Sequence, residues 1–131
     1  MDISYRVSID KSFDEALNSL RNSLKNRGYG ILWELDIQET LRSKGQDFSG
    51  NIKVLEVCNP GHAKVILDIN MEAGLFLPCK MAVYEKDEKI FLGLIKPKAL
   101  MEVFNDSKLL AIGEIIEEEL KAAIEDASKN Y

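Results

Sequence analysis

The stretch Cys79–Ile95, CKMAVYEKDEKIFLGLI, decides the fold. Cys79 to Glu85 and Lys89 to Ile95 are strand-length runs, and the polar turn Lys86-Asp87-Glu88 joins them. A link this short can only return the chain antiparallel, so the segment reads as a β-hairpin. A hairpin needs further strands beside it and a second layer over its apolar face, and the flanking sequence supplies both.

On the N-terminal side, Pro78 and the apolar segment Leu75 to Leu77 lead into the hairpin. Before them, Asn59-Pro60-Gly61 predicts a turn that starts a helix. Asn is a favoured N-cap, and Pro is tolerated at the first helical position because its missing N–H is no loss there. This helix is expected to reach about Ile69, with Ala63, Ile66 and Leu67 inward. A strand precedes it, Ile52 to Cys58, reached through a polar loop containing Phe48. Gln38 to Lys44 predicts a short helix closed by Gly45. Ile31 to Ile37 predicts another strand, with Ile31, Trp33, Leu35 and Ile37 in phase on the core side and Trp33 packed there. Ser12, with Glu15 three residues on, makes a capping-box pattern at the head of a helix. Phe13, Ala16, Leu17, Leu20 and Leu24 form its apolar stripe, and Gly28 is its natural stop. The first element, Ile3 to Ile9, alternates cleanly and reads as a strand with one buried face.

On the C-terminal side, Pro97 starts a helix expected to run through Phe104. Asp106 or Ser107 then caps a long helix to about Ala127, with Leu109, Ile112, Gly113, Ile116, Leu120 and Ala123 as its buried stripe. Strands bunched in the middle and long helices at either side predict an α+β fold, with five strands in a mainly antiparallel sheet and helices packed on one face. Residues 1–131 read as one domain.

Composition narrows the partners. Net charge is −5, with 17 basic residues scattered among 22 acidic ones, and no basic stripe interleaves with aromatics. Nucleic-acid binding draws on clustered Lys and Arg, so the sequence argues against it. The opening residues lack a signal-peptide pattern, and no apolar run approaches the roughly 20 residues that span a bilayer. Two cysteines without such a signal predict free thiols in a reducing compartment, the cytoplasm.

Chemistry concentrates at Val57-Cys58-Asn59-Pro60-Gly61-His62 and Leu77-Pro78-Cys79. Cys58 ends a strand beside a helix N-terminus, where partial positive charge favours thiolate. Cys79 begins the next strand, so antiparallel pairing would bring the two ends together. Three readings stand open: Cys58 and Cys79 as a redox pair, Cys58, His62 and Cys79 as ligands of a soft metal such as zinc, or both cysteines as small buried hydrophobes. Asn59, Pro60 and Pro78 would shape the turns that aim the thiols. His62, the only histidine, reads as a surface residue unless the cysteines are close. Asp36, Lys44 and His62 could line a small-molecule pocket between sheet and helices. The simpler expectation is that Asp36 caps the short helix and Lys44 answers its C-terminal dipole. Glu114, Glu117, Glu118 and Glu119 spread around the last helix and read as a solvated face.

Asp36, Lys44-Gly45, Cys58-Asn59-Pro60, Ala63, Gly74, Leu77-Pro78-Cys79 and Val83-Tyr84-Glu85 occur in the order and approximate spacing of a bacterial and archaeal family, domain of unknown function 302. The chain resembles that family over nearly its whole length. The resemblance implies a curved sheet of the TATA-box-binding-protein-like class and a homodimer. It implies no activity, and it draws attention to Cys58, Asn59, Pro60, Pro78 and Cys79.

Overall fold

The computed structural model describes residues 2–129; Met1 and residues 130–131 of the expected domain lie outside them. The elements run β1 (Ser4–Ile9), α1 (Phe13–Asn26), β2 (Gly30–Asp36), α2 (Ile37–Ser43), β3 (Ile52–Cys58), α3 (Pro60–Ile69), a 3-10 segment (Met71–Phe76), β4 (Cys79–Lys86), β5 (Lys89–Ile95), α4 (Pro97–Met101), a further 3-10 turn (Glu102–Phe104) and α5 (Ser107–Lys129). The five strands form one sheet in the order β1-β5-β4-β3-β2, each pair antiparallel.

The β4–β5 hairpin is tighter than the sequence suggests. The ladder reaches the pair Lys86–Lys89, leaving Asp87 and Glu88 as a two-residue turn, both at positive φ (53° and 65°). That is the mirror-image turn whose twist matches the flanking strands. The capping box at Ser12 forms as expected, the Ser12 Oγ accepting from the Glu15 N–H and the Glu15 carboxylate from the Ser12 N–H. Asp106 caps α5, its Oδ1 accepting from the N–H groups of Lys108 (2.8 Å) and Leu109 (3.1 Å). The helix expected to run from Pro97 through Phe104 is α-helical only to Met101. It then tightens to 3-10 and ends at Asn105, in the left-handed region.

Alternation divides the sheet. Leu55, Val57, Met81, Val83, Leu92 and Leu94 are buried on one face, beneath α1 and α5, and their strand neighbours are not. Each such side chain removed from water contributes roughly 1.5–3 kcal/mol. Helices α1 and α5 close over this face, joined by Leu20, Leu24, Leu120 and Ile124 and by the Ser23 hydroxyl, which donates to the Ala123 carbonyl at 2.6 Å. The other face carries Val54, Glu56, Ala82, Tyr84, Phe91 and Gly93 and, among the described residues, lies away from α1 and α5.

Trp33 does not pack in the core: it is 55% exposed, and Leu32 is 63% exposed. A β-bulge between Ile31 and Trp33 is the cause. Ile31 pairs with the buried Val57, but Trp33 pairs with Glu56 and Leu35 with Val54. One extra residue therefore moves Trp33 and Leu35 to the open face and turns Glu34 toward α1, where Arg21 grips it through Nε (2.7 Å) and Nη2.

Candidate functional site

Asn59 caps α3 as its residue type predicts. Its Oδ1 accepts from the His62 N–H at 3.1 Å, and Pro60 opens the first turn. This aims His62 across to α5. The His62 Nε2–H and the Tyr29 hydroxyl both donate to Oε1 of Glu119, at 2.9 and 2.7 Å. Burial pushes the Glu119 carboxyl up, but the two donors and the imidazole charge outweigh it and leave the group below its usual value. Burial, with the Glu119 bond next, raises the Tyr29 hydroxyl well above the ordinary tyrosine value. Glu119, though partly exposed, is therefore more than a solvated face; it fastens Tyr29, just ahead of β2, and α3 to α5. Glu117 also faces inward, accepting from the Lys98 N–H at 3.2 Å and pairing with Lys121 at 3.1 Å. The available signal was position: Glu119 stands three residues after Ile116, at the border of the apolar stripe, where a carboxylate can lean inward. Tyr29, between two glycines, carried no signal for its partner.

Both cysteines are free, and their sulfurs are not at disulfide distance. The ladder explains why. Val57, not Cys58, stands opposite Cys79, so the two cysteines are one position out of step and their side chains do not face each other. Cys79 is buried, and burial raises its thiol to about 11, assisted by the neighbouring Cys58. Cys58 is half-buried. Among the described residues, no group of three or more His, Cys, Asp or Glu side chains is arranged to hold a metal, so Cys58, His62 and Cys79 do not form the three-ligand set that zinc would need. The cavity beside Tyr29, Cys58, His62 and Cys79 has a volume of about 10 Å³, room for a water at most.

The remaining nominated residues have local duties. Asp36 caps α2, its Oδ1 accepting from the Glu39 N–H at 3.0 Å, and Lys44 is the C-cap of the same helix. Neither lines the cavity beside the cysteines. Pro78 follows a cis peptide bond at the entry to β4.

The large concavity lies elsewhere, on the open face of the sheet. An open trough of about 770 Å³ crosses the strands there. Register shows how the sequence makes it. One row across the sheet is Arg6, Gly93, Ala82 and Val54, small residues between an arginine and a valine. The next row holds Phe91 and Tyr84, whose rings stack with centroids 5.3 Å apart and planes at 17°. On the other side stand Ile95 and Lys80. Small side chains between two tall rows produce a channel, and Gly93 is its lowest point: a Cβ there would stand 3.4 Å from the Tyr84 ring. No residue of this trough except Lys80 neighbours a cysteine in sequence, and the sequence reading did not nominate it.

Comparison with known proteins agrees with this architecture. The family described as Domain of unknown function DUF302 matches residues 5–127. The crystal structure of an uncharacterized conserved protein DUF302 from Bacillus stearothermophilus superposes with a TM-score of 0.94 at 37% identity, covering 97% of this chain and 99% of that one. No curated protein matches the chain.

Proposed function

The chain belongs to the DUF302 family, a domain of unknown function, and from that premise we propose that it is a non-catalytic small-molecule-binding module whose ligand surface is the trough across the open sheet face. One observation carries this reading: the layer between sheet and helices is filled, its two small cavities each about 10 Å³, whereas the trough offers about 770 Å³ and a smaller hollow of about 280 Å³ lies beside it among Leu75, Pro78, Ile95 and Leu100. Pockets for small molecules need several hundred Å³ and a mostly apolar lining with a few polar groups. Val54, Ala82, Tyr84, Phe91 and Ile95 supply the lining, and Arg6, Lys80 and Lys86 the polar groups.

A fragment screen of mixed chemistry, followed by amide NMR of the intact chain, tests it. Bound fragments are expected to shift the amides of Gly93, Ala82 and Val54. Shifts confined to Cys58 and His62, or no binding fragment at all, would sink the reading.

A thiol role is the second reading, favoured by the place of Cys58: half-buried and immediately before the N-cap of α3. It acts alone in this scheme, because Cys79 is buried and stays protonated at neutral pH. Iodoacetamide is expected to label Cys58 in the folded chain and Cys79 only after unfolding, as read by mass spectrometry. Protection of both until unfolding would remove the thiol reading. Free thiols suit a reducing compartment, and we place the chain in the cytoplasm.

A further inference from the structure

The geometry points to a planar aromatic carboxylate as the ligand of the trough, an inference that rests on the open face being the binding surface. Two features of the trough select this chemistry, one by shape and one by charge.

Shape comes from the row of Gly93 and Ala82 beside Tyr84 and Phe91. The two near-parallel rings form an apolar wall, and the edge of Tyr84 stands 3.4 Å from where a Gly93 Cβ would be, bordering the gap left by the missing side chain. A flat ring entering here lies on strand backbone and meets aromatic surface at its side. A branched aliphatic group of the same volume meets the wall through fewer atoms. Offset and edge contacts between aromatic rings add to what burial alone supplies.

Charge comes from Arg6, which stands directly across from Gly93 at the β1 end of the same row. Its guanidinium donates to the Ser4 hydroxyl at 3.3 Å and is in no ion pair among the described residues. The nearby carboxylates are already engaged. Glu56 holds Lys80, and Asp2 accepts from the Ser4 N–H at 3.2 Å, faces Lys96 at 4.0 Å and feels the charge of Arg6 more weakly than that of Lys96. Asp87 and Lys86 line the opposite end together. The trough therefore has at its head a cation outside any ion pair among the described residues, of the forked kind that grips a carboxylate through two parallel N–H groups; Lys86, at the other end, is a point charge without that fork. A ring over Gly93 places a carboxylate attached to it toward Arg6.

Three probes on the intact chain separate the contributions: 2-naphthoate has ring and charge, 2-naphthamide has the ring alone, and cyclohexanecarboxylate has the charge alone. Amide NMR titration is expected to show 2-naphthoate shifting Arg6, Gly93 and Ala82 saturably, about tenfold tighter than either of the others. In Arg6→Gln, 2-naphthoate falls to the affinity of 2-naphthamide, which itself does not change. In Tyr84→Leu, both naphthyl probes weaken. Arg6 is exposed, so its replacement leaves the fold intact, as the unchanged 2-naphthamide titration verifies. Equal affinity of 2-naphthoate and 2-naphthamide for the wild-type chain overturns the inference. So does a response outside the trough. If neutral or cationic fragments shift Gly93 and Ala82 while 2-naphthoate does not, the ligand class is wrong and the binding surface stands. If nothing of any charge binds there, both fall.

Discussion

The two faces of this sheet are built from alternate residues of the same strands, and they have opposite characters. Leu55 and Val57 on β3 are fully buried under the helices, while Val54, next to Leu55, looks onto a trough. The covered face is filled almost to the last water; the open face keeps apolar residues half exposed without a layer to cover them. Tyr84, Phe91 and Val54 add less to folding there than the same side chains would add if fully buried, which supports the ligand surface proposed above. Differences between the faces are therefore the quantities to measure.

The largest expected effect is on the covered side. Leu55→Ala removes a side chain with no exposure and leaves a cavity that helices α1 and α5 cannot collapse into. It should cost about 3 kcal/mol or more in urea unfolding. Its strand neighbour Val54→Ala, on the trough side, should cost about 1 kcal/mol or less. Equal losses at the two positions would mean that the open face is packed in solution, by a second copy or by a segment of the chain, and the comparison of faces would fail.

A smaller effect is expected at the edge of the covered layer, where Glu119 joins Tyr29, α3 and α5. Glu119→Ala leaves the buried Tyr29 hydroxyl without its acceptor. Because the Glu119 side chain is itself about 39% exposed, water can take over part of its role, and the loss should be about 1 kcal/mol. The pH dependence has a definite sign. The Glu119 carboxyl is lowered below its reference value of 4.5 in the folded chain, so its contribution is present above about pH 4.5 and is lost as pH falls through the folded value. Stability curves of wild type and Glu119→Ala should thus converge in acid. Curves that stay parallel down to pH 3 would show that Glu119 acts by bulk alone.

How much of this could be read beforehand depended on whether the information was local. Caps were legible, because Ser12 with Glu15, Asn59 with Pro60, and Asp36 each satisfy backbone groups within three residues. The hairpin was legible for the same reason, and five strands with flanking helices followed from periodicity. Phase across the sheet was not. Cys58 and Cys79 do end and begin neighbouring strands, but a ladder offset by one residue decides whether side chains meet, and nothing in either strand announces that offset. Trp33 shows the same limit within one strand, where a single bulged position reverses which residues face the core. The trough was hidden more deeply still. Its floor is assembled from Arg6, Gly93, Ala82 and Val54, one residue from each of four strands, and becomes visible only once all the registers are known.

The smallest expected change in folding stability is the sharpest check on the open face. In the alternating pattern of β2, Trp33 would be a core residue, and its replacement by serine would cost on the order of 3–5 kcal/mol. The bulge puts it outside at 55% exposure beside Leu32 at 63%, so Trp33→Ser should change the unfolding free energy of the dilute chain by less than about 0.5 kcal/mol. Trp33 and Leu32 nonetheless place a large apolar surface on the strand at the edge of the sheet, the kind of surface on which a second copy can dock. We propose that the homodimer implied by the family resemblance forms there. Sedimentation of the wild-type chain should then show concentration-dependent association, and Trp33→Ser should weaken that association while unfolding at low concentration stays the same. A large loss of stability in the dilute variant would return Trp33 to the core. Unchanged association would place the contact between copies on some other surface and leave the β2 end of the open face free for ligand.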